Sequence, residues 1–142
     1  MIKVNHVVLS CLICLIFIVG CEVNRSNDQD DKNDAQIIAV EFYTKILSGE
    51  RKELLPKCGV SMSPDDAERT FSILDSIAGK LTDYEISSIE TDVRIAKGVK
   101  TGVYDVQVSC IYEKVETTEL LQIVVNDTGY VYGGYVATID VK

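Results

Sequence analysis

The sequence predicts an α+β domain in which N-terminal helices pack in a curved, antiparallel, four-stranded sheet. Two patterns in the 142-residue chain support this fold class. Between residues 34 and 81 the apolar side chains recur at helical spacings, whereas between residues 84 and 139 they largely alternate with polar ones, as in strands. Within the last predicted strand, Gly133 and Gly134 indicate a bulge or bend that would curl the sheet around the helices.

The first 20 residues have the three parts of a secretory signal. Lys3 supplies positive charge, residues 7–19 are almost wholly apolar, and the small residue Gly20 comes immediately before Cys21. As a helix, this apolar run would reach about 20 Å, which is short of the roughly 30 Å hydrocarbon core that a spanning helix must cross. The sequence therefore favours a cleaved signal over an uncleaved anchor.

The residues Ile18, Val19, Gly20 and Cys21 resemble the lipobox of bacterial lipoproteins. The resemblance implies that the Cys21 thiol receives diacylglycerol, that cleavage occurs between Gly20 and Cys21, and that the acyl chains hold the protein on a membrane of the bacterial cell envelope. Glu22, where inner-membrane lipoproteins have aspartate, favours the outer membrane in a double-membraned bacterium. The alternative is an ordinary signal followed by an incidental cysteine.

Cleavage would leave an acidic chain. The full sequence has 14 basic and 22 acidic side chains; because Lys3 leaves with the signal, 13 basic and 22 acidic groups remain, a net charge of −9. This charge argues against nucleic acid as a partner. We divide the chain into a signal peptide (residues 1–20), the lipidated cysteine with a flexible polar tether (residues 21–33) and one cone-like domain (residues 34–142).

The tether is predicted because residues 22–33, EVNRSNDQDDKN, are almost wholly polar and have no periodicity. A flexible segment of this length reaches roughly 20 Å, so the domain would stand clear of the lipid headgroups. Its acidic residues do not match a calcium-binding loop, since Lys32 stands where an oxygen ligand belongs. No metal site is predicted.

Three helices and four strands are predicted after the tether. The first helix has Asn33 as its N-cap and runs to Leu47, and the second is short. The third begins with Ser63 as N-cap and Pro64 at its first position. The second helix covers residues 50–55, and the strands cover residues 84–96, 104–113, 118–125 and 130–139, with turns at residues 98–102 and 126–129.

This order of elements resembles the nuclear-transport-factor-2-like, or cystatin-like, superfamily, in which a long N-terminal helix lies in the hollow of a curved sheet. Several families of small bacterial lipoproteins of unknown function have the same layout. The resemblance covers most of residues 34–139. It depends on Phe42-Tyr43, on Gly79-Lys80-Leu81 leading into Tyr84-Glu85-Ile86, and on the hairpin VVNDTGYVYGGYV.

Two cysteines remain besides Cys21. Cys58 and Cys110 could form a disulfide in an oxidising envelope, and closing a loop of about 50 residues would stabilise the fold by roughly 4 kcal/mol. Two separate buried thiols are the alternative. Zinc is not expected, because the only histidine, His6, lies in the signal and two thiols do not supply four ligands.

The candidate residues for a pocket or its rim are tyrosines. Some members of the superfamily are enzymes that work inside the cone, but the mature chain has no histidine, nucleophile elbow or Gly-rich phosphate loop, so neither catalysis nor a cofactor is predicted. The tyrosines are Tyr43, Tyr104, Tyr112, Tyr132 and Tyr135.

Three functions remain open. The favoured one is a membrane-tethered interaction module that binds another envelope protein, with the acidic surface favouring a basic partner. The second is a small-ligand binder that uses the hollow of the cone, which a hollow filled by side chains would argue against. The third is a structural lipoprotein that forms homodimers through its sheet face, as members of the superfamily often do.

Overall fold

The computed structural model describes residues 21–140, so the predicted signal peptide and Gly20 lie outside the described residues. The five strands form one antiparallel sheet in the order β1-β2-β3-β4-β5. The predicted four-stranded sheet is therefore wrong, although helices followed by a meander keep the domain roughly α+β. The elements are β1 (Glu22–Ser26), α1 (Gln29–Leu47), two 3₁₀ segments (Arg51–Glu53 and Leu55–Lys57), α2 (Pro64–Ala78), β2 (Leu81–Ala96), β3 (Val99–Tyr112), β4 (Glu116–Asn126) and β5 (Gly129–Ile139).

The additional strand, β1, consists of residues that were predicted to be flexible tether. It pairs with β2 from Glu22 opposite Ala96 to Ser26 opposite Asp92. Four of its five residues are exposed, because it is a short edge strand held mainly through its backbone. Such a strand needs no apolar alternation, which is why a polar sequence without periodicity gave no strand signal.

Helix α1 begins at Gln29, earlier than predicted, with Asp28 rather than Asn33 as its N-cap. The Asp28 carboxylate accepts a hydrogen bond from the Asp30 backbone N–H at 3.1 Å. Acidic residues in the first turn also face the positive end of the helix dipole. The acidic run assigned to the tether is therefore the start of the helix.

Asp31, in the first turn of α1, is fully buried and ion-paired on two sides. Arg25 of β1 donates from Nη2 to its Oδ1 at 3.0 Å, and Lys100 Nζ of β3 lies 2.6 Å from the same oxygen. Lys100 also contacts the more exposed Asp34 at 2.9 Å. These contacts join β1, α1 and β3 at one place.

The core lies between α1 and the inner face of the sheet. Ala35 and Ala39 of α1 are fully buried, and such small side chains let a helix approach a sheet closely. Phe71 of α2 packs against Phe42 of α1, with ring centroids 6.1 Å apart, and against Tyr135 of β5 at 5.6 Å. The helices therefore share one aromatic cluster with the last strand.

The start of α2 and the bulge in β5 are as predicted, whereas the second helix is not. Ser63 accepts a hydrogen bond from the Asp66 N–H at 3.2 Å, and Pro64 is the first helical residue. The register of β4 and β5 shifts at Gly133, where an added Cβ would lie 2.5 Å from Val124 Cγ2. The predicted helix over residues 50–55 is replaced by the two 3₁₀ segments.

We expect Asp31→Ala to destabilise the mature domain by about 2–3 kcal/mol, because it leaves two partly buried cations without their shared carboxylate. Urea denaturation of the mature chain measures the loss. Asp34→Ala is the matched control: its carboxylate also contacts Lys100 but is more than half exposed, so its loss stays below about 1 kcal/mol. Equal losses for the two variants would contradict this account of the fold.

Candidate functional site

Cys21, the predicted lipidation site, is exposed and stands directly before β1. The next residue, Glu22, already pairs with Ala96 at the end of β2. Arg94 Nη2 also donates to Glu22 Oε2 at 2.7 Å. An acyl group on the Cys21 sulfur would therefore be joined to the sheet itself, without the flexible tether that was predicted.

Two hairpin turns lie at the same end of the sheet as Cys21. The β2–β3 turn contains Lys97 (φ 52°) and Gly98 (φ 78°), both in the left-handed region that a tight hairpin turn requires. The β4–β5 turn contains Asp127 and Thr128. The strand pairing shows that this turn ends roughly 7 Å short of the β2–β3 turn, measured along the strands. We call Cys21 and these two turns the anchor end.

The outer face of the sheet, opposite α1, carries exposed apolar side chains on β4 and the edge strand β5. Leu120 and Val136 are cross-strand neighbours and are 43% and 59% exposed. Gln107 lies opposite Leu120 on β3. With Thr118 and Thr138 these side chains surround a shallow depression of about 410 Å³. We call these five residues the outer-face patch.

Like charges face each other beside this patch. Glu90 of β2 pairs directly with Asp105 of β3, and Asp92 follows on the same face of β2. The Gln122 amide donates to Asp105 at 3.0 Å but brings no positive charge. Like charges directly opposite each other destabilise a sheet, so a cation bound at this position would be favourable.

The five tyrosines predicted to line a pocket or its rim are all buried. They fill the space between α1 and the sheet. The Phe42 ring alone lies 5.2 Å from Tyr43, 4.8 Å from Tyr132 and 5.7 Å from Tyr135, measured between ring centroids. The hollow that the ligand-binding hypothesis requires is occupied by aromatic side chains. The other two, Tyr104 and Tyr112, are also buried, on β3.

A buried carboxylate at the centre of this cluster was missed from the sequence. Glu119 of β4 is fully buried and accepts hydrogen bonds from the Tyr112 hydroxyl at 2.8 Å, Thr117 Oγ1 at 2.9 Å and the Tyr135 hydroxyl at 2.6 Å. Alternation along β4 is the signal that could have found it, because Thr117, Glu119 and Leu121 share the inner face.

Burial keeps the phenols of this network protonated. Desolvation, and then the negative charge of Glu119, raise the pKa of Tyr112 and Tyr135 well above the usual value. Both tyrosines therefore remain hydrogen-bond donors to Glu119. The hydroxyls of Tyr43 and Tyr132 are buried without a hydrogen-bond partner among the described residues. Glu119 and the three side chains that donate to it are all buried, so the network is shielded from solvent.

Cys58 and Cys110 are free and buried, so the expected disulfide is not formed. The Cys58 backbone forms a bridge with Tyr132 of β5. The strand pairing places Tyr132 level with Tyr104 of β3, and Cys110 lies six residues further along β3. That separation is about 20 Å, whereas a disulfide needs Cα atoms within roughly 7 Å. Burial raises the pKa of the Cys58 thiol to about 11. The alternative of two separate buried thiols is the one observed.

Comparison of the chain with protein-family models, curated proteins and solved structures found no match. The resemblances to bacterial lipoproteins and to the nuclear-transport-factor-2-like superfamily therefore stay predictions. Within residues 21–140, no helix is long and apolar enough to cross a membrane.

We expect Glu119→Ala to destabilise the mature domain by about 3 kcal/mol or more, because three buried hydroxyls lose their shared acceptor. Glu119→Gln keeps one acceptor oxygen and should lose less. Thermal or urea denaturation gives both values, and the exposed Glu85→Ala is the control, with a change of about 0.5 kcal/mol or less. A loss below that of the control would show that the network contributes nothing to stability.

Proposed function

We propose that the mature protein is a lipid-anchored protein of the bacterial cell envelope that acts as a non-catalytic protein-interaction module. The observation that carries the proposal is the position of Cys21, which is exposed immediately before a folded domain and directly after a signal-like sequence. A thiol in this position is accessible to an acyl-transferring enzyme. Acyl chains attached there would displace no buried side chain.

The outer-face patch supports an interaction role. Leu120 and Val136 are exposed apolar side chains on the outer face of β4 and β5, and covering them with a partner would remove apolar area from water. Glu90 and Asp105 lie close by with the same sign of charge. A partner that places a lysine or arginine beside these carboxylates would relieve their repulsion and orient itself on the face.

The filled interior is the reason to prefer this function over ligand binding. Tyr43, Tyr132 and Tyr135 are buried around Phe42 in the space that a ligand would need. Opening a cavity there would separate packed rings and disturb the hydrogen bonds to Glu119. The exposed patch needs no such rearrangement, because its apolar side chains are already accessible.

The anchor is tested with the full-length chain produced in a bacterial host. We expect mass spectrometry of the mature protein to show acyl chains on Cys21 and fractionation to recover it with membranes. Cys21→Ser should abolish both results, because serine has no thiol to accept the lipid. Cys14→Ser, a change to another cysteine of the N-terminal region, is the matched control and should leave both unchanged. Lipid-free wild-type protein would refute the anchor.

The interaction face is tested by crosslinking in intact cells followed by purification of the tagged protein. We expect the double variant Leu120→Asp, Val136→Asp to lose its crosslinked partner, because charges replace the apolar contacts. Ile73→Asp, at a similarly exposed apolar residue of α2, is the control and should retain the partner.

The crosslinked species identify the kind of interaction. A partner lost only in the double variant supports the proposed module. Crosslinks only to further copies of this chain would replace it with the self-associating alternative. Identical crosslinks for the double variant and wild type would contradict an interaction through the outer-face patch.

A further inference from the structure

We infer that the anchor end of the domain lies against the lipid headgroups, with the β2–β3 turn touching the bilayer and the strands running away from it. The inference rests on the proposed acylation of Cys21. It adds a second membrane contact, made by the folded domain itself, and fixes which surfaces remain available to partners.

The distance from the anchor to the fold is the first argument. Acyl chains on Cys21 hold its sulfur at the level of the headgroups, and consecutive Cα atoms are only 3.8 Å apart. Glu22 is already paired with Ala96, so the adjacent turn at Lys97 must also lie close to the bilayer. A flexible tether would have removed this constraint, but these residues form β1.

The rigidity of β1 is the second argument. Arg25 of β1 is paired with the buried Asp31, and the Asn27 N–H donates to the Thr91 carbonyl at 2.8 Å. Thr91 N–H in turn donates to the Asn27 side chain at 3.1 Å. These contacts hold the C-terminal end of β1, and the pairing of Glu22 with Ala96 and its contact with Arg94 hold the other end, so the lipid is attached to the body of the domain. Rotation of the domain about the anchor is therefore restricted.

The exposed residues at the anchor end and next to it suit a lipid surface. Val23 and Val99, close to Cys21, are 48% and 42% exposed, and Lys97 is exposed at the tip of the turn. Ile37 of α1, 68% exposed, borders an apolar groove of about 290 Å³ beside the β4–β5 turn. Apolar side chains entering the headgroup layer, with a lysine ammonium among the phosphates, form a typical interfacial contact.

Charge distribution favours the same orientation. The anchor end and the chain next to it carry five basic and six acidic side chains, a net charge of −1, against −9 for the mature chain. The residues counted are 21–34, 94–101 and 126–129. Most of the negative charge therefore lies elsewhere. At the opposite end of the strands, residues 80–85, 113–116 and 140 carry two basic and five acidic side chains, a net charge of −3. Anionic lipids would repel that end most strongly.

The test uses lipidated full-length protein in vesicles of phosphatidylethanolamine and phosphatidylglycerol that contain a headgroup-quencher lipid. A fluorophore is attached to Lys97→Cys or, as the matched control in another turn, to Lys114→Cys. Protein without an introduced cysteine corrects for labelling of the buried thiols. We expect strong quenching at position 97 and weak quenching at position 114. A twelve-residue Gly/Ser insertion between Cys21 and Glu22 should reduce the difference.

The outcomes separate this inference from the function on which it rests. Mass spectrometry of the same sample establishes whether Cys21 carries lipid. Lipidated protein with equal quenching at positions 97 and 114 would overturn the orientation but leave the lipid anchor intact. Protein without lipid on Cys21 would overturn both. Unequal quenching that the insertion abolishes would support a domain held directly on the bilayer.

Discussion

The buried ion pairs of Asp31 help to attach the first described residues to the rest of the domain. One carboxylate on α1 joins Arg25 of β1 and Lys100 of β3. A buried carboxylate must be paired, because desolvating it alone would cost several kcal/mol. Arg25 supplies one of the two cations, so this ion pair holds the segment between Cys21 and α1 against the sheet together with its backbone pairing to β2. These contacts keep a polar segment in place as an edge strand and put the predicted lipid directly on the fold.

A second buried carboxylate, Glu119, determines the interior. Three hydroxyls satisfy it, two of them from the bulky residues Tyr112 and Tyr135. Bringing those phenols to one acceptor places their rings in the space between α1 and the sheet. The hollow is closed by the same side chains that supply hydrogen bonds to Glu119. The surfaces left for function are then the anchor end and the outer face.

Local signals in the sequence predicted the order of the elements and several of their boundaries. Ser63 and Pro64 identified the start of α2 because capping chemistry depends on adjacent residues, and Gly133 identified the bulge. Two of the features that were missed, β1 and the separation of the two cysteines, depend on pairing between segments distant in sequence. β1 is stabilised by Asp31 and by pairing with residues 92–96, and no local period reveals either. The separation of Cys58 from Cys110 likewise follows from strand register.

The two proposed membrane contacts have different roles. Acyl chains contribute about 0.8 kcal/mol for each buried methylene, so they dominate the affinity, whereas side chains such as Val23 and Val99 add little and can only select an orientation. In that orientation β3, with 14 residues, carries the far end about 45 Å from the headgroups. This is several times the screening length of about 8 Å at physiological salt. Glu90 and Asp105 of the outer face lie six residues from the β2–β3 turn, roughly 20 Å, so they too are screened from the lipid but still attract a basic partner that comes close.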